Sequence, residues 1–230
     1  MTTAAAGWYP DPEGRVGRRY WDGTAWTEHF AKDPIFDGEL RRSMRKKSDR
    51  VTVTDDRLTK GDDTIAFADV EHVAYWVMVH KGGALSGTKQ YHFRLWGGPS
   101  DVMLDFGVLP RDATFAYHER AFDVLVETSK RFVEPMLRQR ALARVEAGET
   151  VSIGGIDASR AGLAHGRKDV TWSDYGHVAF EHSYLRVFNR SGKEVLKGNG
   201  GTDGPLAGEF FALCADGFGR TGGAQQIAPG

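Results

Sequence analysis

From Val51 onward the apolar residues fall in short runs that alternate with polar ones and are punctuated by Gly and Asp. That is the pattern of strands with one buried face joined by tight turns. The stretch VTVTDDRLTKGDDTIAFADVEHVAY (51–75) reads as a short strand, a glycine turn, an alternating strand ending at Phe67, an Asp-led turn and another apolar strand. Further strands are predicted at YHFRLWG (91–97) and DVMLDFG (101–107). Then the period changes. Phe115, Phe122, Leu125, Phe132 and Met136 recur at helical spacings, predicting a helix that starts near Asp112 with that carboxylate as its N-cap. Pro135 should kink or interrupt this helix before it resumes toward Val145.

The alternation then starts again. IDASRAGLAHGRKDVTWSDYGHVAF (156–180) aligns without gaps on residues 51–75, offset by 105, with six identities. These pair Leu58 with Leu163, Gly61 with Gly166, Asp69 with Asp174, His72 with His177, Val73 with Val178, and Ala74 with Ala179. Strands follow at YLRVFNR (184–190) and EVLKGN (194–199), then a shorter helix over about Pro205 to Ala215 that Asp203 is expected to cap.

Upstream, residues 7–30 alternate three Trp and two Tyr with Gly, Pro and Asp, which predicts a small meander with a hairpin at Asp22-Gly23. Between this module and the duplicated part, six of the ten residues from Arg41 to Arg50 are basic, so residues 31–50 read as an exposed linker. The expected fold class is α+β: a small N-terminal β meander, then two tandem antiparallel β units each closed by a C-terminal helix. The expected boundaries are 7–30 for the module, 31–50 for the linker, 51–147 and 148–219 for the two units, and 220–230 for a disordered tail.

Two resemblances add to this reading. The opening GWYPDP and the closing RYWDGTAWT of the module resemble a short domain of unknown function common in actinobacterial proteins. The resemblance implies a small accessory module, often attached to membrane or envelope-associated proteins, with no activity to carry over. The turns AFADVEHV and TWSDYGHV, set among antiparallel strands followed by one helix, are similar to the bacterial pleckstrin-homology-like group.

Composition narrows the setting. Lys plus Arg number 30 against 31 Asp plus Glu, so the net charge of -1 predicts no general attraction to nucleic acid, and no specific nucleic acid partner is expected. The single Cys214 excludes an internal disulfide framework and suits a reducing compartment. The start MTTAAAGWYP lacks a signal-peptide pattern, and no run approaches the roughly 18 apolar residues of a spanning helix. A cytoplasmic protein, peripheral at the inner face of the membrane if it binds lipid, is the expectation.

Candidate chemistry is sparse. Eight histidines are present, yet none stands in an HExxH spacing, and there is no GxSxG elbow. An enzyme reading, metal-dependent or another hydrolase, would rest on Asp174, His177 and His182; the recurrence of the Asp–His spacing in both copies favours a turn structure instead. No cofactor and no metal ligand is expected. For binding, Lys81 and Lys89 flank the glycine-rich HKGGALSGTK (80–89), whose amides would join them around an anion. Arg41, Arg42, Arg45, Lys46 and Lys47 form a basic run worth up to about 1 kcal/mol per charge at an anionic surface. Trp8, Trp21 and Trp26 are candidates for peptide contact, although a sheet so small needs some of these rings for its own stability. The sequence thus points to a non-enzymatic interaction or targeting scaffold that binds a protein partner or an anionic membrane surface. Self-assembly into a homo-oligomer is the further alternative.

Overall fold

The computed structural model describes residues 4–15, 17–42, 47–81, 87–109, 112–181 and 184–219. It is a mixed α+β architecture of open antiparallel sheets. The N-terminal module is a three-stranded meander, β1 (Gly7–Pro10), β2 (Arg18–Trp21) and β3 (Trp26–Ala31), in that spatial order. Asp22 organises the β2–β3 turn: its Oδ1 accepts hydrogen bonds from the backbone N–H of Thr24 and of Ala25, both at 2.7 Å, and Gly23 takes a φ of 102°.

A four-stranded meander follows: β4 (Phe36–Arg41), β5 (Ser48–Val53), β6 (Arg57–Lys60) and β7 (Asp63–Ala66). Next comes a three-stranded sheet, β8 (His72–Val79), β9 (Lys89–Gly97) and β10 (Ser100–Val108), with β8 on its outside. The same succession recurs. Strands β11 (Val151–Ile153), β12 (Ile156–Ser159), β13 (Gly162–His165) and β14 (Lys168–Thr171) form a four-stranded sheet. Strands β15 (Tyr175–Glu181), β16 (Tyr184–Asn189) and β17 (Glu194–Asn199) form a three-stranded one. β6 and β13, like β7 and β14, lie 105 positions apart.

The segment read as a linker is a correction. Residues 36–41 form β4, which pairs antiparallel with β5, Gly38 opposite Val51. Its inward positions are Phe36, Gly38 and Leu40, and Leu40 is 2 % exposed. Only two apolar side chains mark this inward face, so the charges at Asp37, Glu39 and Arg41 mask a period-two pattern. Gly38 is dictated by space, since a Cβ there would stand 2.0 Å from the Tyr117 hydroxyl.

Between the units runs a long helix, α1 (Phe115–Thr128), a π-helical turn over Ser129–Val133, and α2 (Glu134–Glu146). Asp112 stands just ahead of the helix instead of capping it, accepting from the Thr114 N–H at 2.9 Å. Pro135 lies in the first turn of α2. It has no N–H to donate to the preceding turn, and the chain widens into the π turn immediately before it. After β17 the chain forms a 3₁₀ turn at Gly204–Leu206 and then α3 (Ala207–Phe218).

One apolar cluster extends through both units. It includes Val51, Leu58 and Phe93 of the first, Leu125, Leu137 and Val145 of the helix, and Ile156, Leu185 and Phe211 of the second. Helix α2 packs on α3 and β11, and Arg138 on α2 reaches Glu209 on α3 at 2.8 Å.

Candidate functional site

The outer strand β8 is where the two units meet. The Asp203 N–H donates to Val73 O at 2.8 Å, its Oδ1 accepts from the Val73 N–H at 2.9 Å, and its Oδ2 lies 2.7 Å from His72 Nδ1. Asp203 adopts a φ of 57°, a left-handed conformation that lets its backbone N–H and its carboxylate address β8 together. This corrects the expectation that Asp203 caps the last helix, since its side chain makes no cap hydrogen bond there. The carboxyl is buried, and desolvation holds it above the usual carboxylate range against the opposing bonds from His72 and the Val73 N–H.

Antiparallel pairing turns the backbone groups of successive residues to opposite sides of a strand. Since Val73 addresses Asp203, the outward set on β8 is Val73, Tyr75, Val77 and Val79, while the even-numbered residues address β9. The His80 N–H donates to Thr88 O at 3.0 Å, in keeping with that parity. Asp203 fills the rung at Val73. Among the described residues, the outward N–H and C=O groups of Tyr75, Val77 and Val79 have no partner. Val77, Met78 and Val79 are 41 %, 43 % and 48 % exposed. VAYWVMV (73–79) carries no charged residue to discourage strand pairing.

Beside this edge lies an apolar groove of about 300 Å³, lined by Tyr75 of β8, Val178 and Phe180 of β15, Leu185, Gly204, Pro205 and Gly208. Phe180 rests on the loop after β17, where a Cβ at Gly200 would stand 2.2 Å from the Phe180 ring. Tyr75 is anchored below by its hydroxyl, which donates to Glu134 Oε1 at 3.0 Å.

The residues singled out from sequence do not converge. Arg41, Arg42 and Lys47 stand at the turn end of the β4–β5 hairpin, while Arg45 and Lys46 lie outside the described residues. Arg41 pairs with Asp112 at 3.1 Å, and Arg42 grips Asp49 through two nitrogens at 2.8 and 2.9 Å. Lys81 is exposed, and Lys89 pairs with Glu119 and lies 5.4 Å from the centroid of the Phe115 ring. Asp174 accepts from Asn189 Nδ2 at 3.4 Å, His177 stacks on Phe188 with centroids 4.7 Å apart, and His182 lies outside the described residues, as does 220–230. His72, aligned with His177 in the repeat, has Asp203 as its carboxylate partner. No group of three or more His, Cys, Asp or Glu that could hold a metal occurs among the described residues. Trp8 pairs with Tyr20 on one face of the module, and Trp21 with Trp26 on the other. Sequence reasoning missed the edge itself, although the charge-free run 73–79 was the available signal.

The fold and this junction define a mixed α+β protein with a sheet edge that is unpaired among the described residues and lies beside an apolar groove. Residues 6–35 match the model of a family described as a protein of unknown function, DUF2510. No curated protein and no solved structure matches the chain. Among the described residues no helix is long and apolar enough to cross a membrane.

Proposed function

We propose that the chain is a non-enzymatic interaction scaffold, two pleckstrin-homology-like units in rigid tandem, that receives an extended segment of a protein partner as an added strand on β8. The observation that carries this reading is the edge. Asp203 occupies its first outward rung, and the next three have no partner among the described residues and lie beside an apolar groove. The pleckstrin-homology-like part is supported by the order of four strands, three strands and a helix, which occurs twice. A protein partner is favoured over an anionic membrane because Arg41, Arg42 and Lys89 already stand on carboxylates, which lowers the positive field they offer. A cytoplasmic setting belongs to the same reading, with the one cysteine free and buried.

The test is a photo-crosslinking residue at position 79 in cells of the source organism, compared with the same protein carrying Val77→Pro. Proline removes an outward N–H and leaves the pairing with β9 intact. Cross-links to a defined peptide that vanish in Val77→Pro are expected. Cross-links indifferent to Val77→Pro would sink the strand-addition reading. Salt-sensitive binding to anionic vesicles, lost on neutralising Arg41, Arg42 and Lys47, would put a membrane in its place.

A further inference from the structure

The two faces of the N-terminal sheet carry the same kind of chemistry, and one of them already holds a stretch of chain. On that face Trp21 Nε1 donates to Ala4 O at 3.2 Å and the Tyr9 hydroxyl donates to Ala5 O at 2.8 Å. An indole N–H and a phenol O–H thus grip successive carbonyls of the residues leading into β1. On the opposite face Trp8 stands across from Tyr20 in the strand register, ring centroids 5.3 Å apart and planes inclined at 65°, with His29 6.5 Å beyond Tyr20. Trp8 is 46 % exposed. Here the same two donors, Trp8 Nε1 and the Tyr20 hydroxyl, have no partner among the described residues.

We propose that the Trp8–Tyr20 face binds a proline-rich segment of a partner protein in the polyproline II conformation. The occupied face shows how this sheet holds a chain: aromatic walls with side-chain donors aimed at carbonyls. Trp8 Nε1 can only donate, and the Tyr20 hydroxyl can donate as that of Tyr9 does on the occupied face, so what the surface asks of a chain is carbonyls. A polyproline II segment meets that demand, because its carbonyls project outward without internal partners and its prolines have no N–H to leave unsatisfied. Its conformation is also largely set before binding, so little ordering opposes a small contact area. The inclined rings supply the walls, as rigid aromatics do at other recognition surfaces.

The experiment titrates decaproline into the full chain labelled with ¹⁵N at its tryptophan indoles, with a glycine–serine peptide of equal length as control. A saturable shift of the Trp8 indole resonance is expected, with the Trp21 resonance still. Trp8→Phe should weaken binding roughly tenfold and Tyr20→Phe, which removes one donor and keeps the ring, about threefold. Unmoved Trp21 and Trp26 indole resonances show that each variant retains the sheet; if they move, the wild-type titration decides alone. Absence of a saturable shift at millimolar decaproline, equal shifts with the glycine–serine peptide, or full affinity in both folded variants would overturn the proposal.

Discussion

Asp203 Oδ2 lies 2.7 Å from His72 Nδ1, joining the loop after β17 to the start of β8 across 131 positions of sequence. The other carboxylate oxygen and the backbone N–H of the same residue complete a three-bond clasp with β8. A single residue therefore ties the second unit to the edge strand of the first through both its backbone and its side chain.

Asp203→Ala should lower the unfolding free energy by about 1–3 kcal/mol, because the Val73 N–H is left buried without an acceptor. Asp203→Asn keeps an acceptor for that N–H and should cost less. Urea unfolding of the three proteins checks the order, and equal losses in both variants would locate the effect in the charge of Asp203.

Burial holds the Glu134 carboxyl above its ordinary range, against the bonds donated by Tyr75 and Ser129 and the Arg138 guanidinium. A folded pKa above the unfolded one gives a contribution that is full below the unfolded value and is lost as pH rises through the folded one. Wild type should therefore gain stability relative to Glu134→Gln as pH falls from neutrality into the carboxylate range. A pH-independent difference between the two melting curves would refute the sign.

Burial, aided by the Glu146 charge, pushes the Cys214 thiol up to about 12. The thiol stays protonated and inaccessible at mildly alkaline pH, so a thiol-reactive dye should label the native chain slowly and the denatured chain at once. Rapid labelling without denaturant would mean that α3 opens readily.

Gly38→Ala should destabilise by about 1–3 kcal/mol, because the added methyl meets the Tyr117 hydroxyl at 2.0 Å. Combining it with Tyr117→Phe, which removes that oxygen, should return part of the loss. Gly38→Ala at no cost would argue against β4 as a packed strand.

The strands of the repeated segments 51–75 and 156–180 were legible because they bury one face and advertise it by alternation, as in Val51 and Val53 of β5, which are 0 % and 1 % exposed. β4 was not, because a strand with charges at every outward position and a glycine inside resembles a solvated segment. The Asp112 and Asp203 caps failed for a related reason. A carboxylate before a helix is read locally as a cap, yet Asp203 is drawn 131 positions away to Val73 and His72. The outward rungs of β8 depend on which strand lies beside it, and that is a property of the assembled sheet. The module's rings were visible as a set, but their division into two faces follows only from the register of Trp8 with Tyr20 and Trp21 with Trp26.

The π turn at Ser129–Val133 sets the phase of the molecule. Helix α1 meets β4, β9 and β10, whereas α2 meets α3 and β11, so one continuous rod serves opposite clients along its length. A π turn holds one residue more than the regular winding, and one residue corresponds to about 100° of rotation. Removing that residue would turn Leu137, Ala141 and Val145 off the second unit while α1 stayed seated on the first. The two halves of the protein are thus geared together by a single extra amino acid.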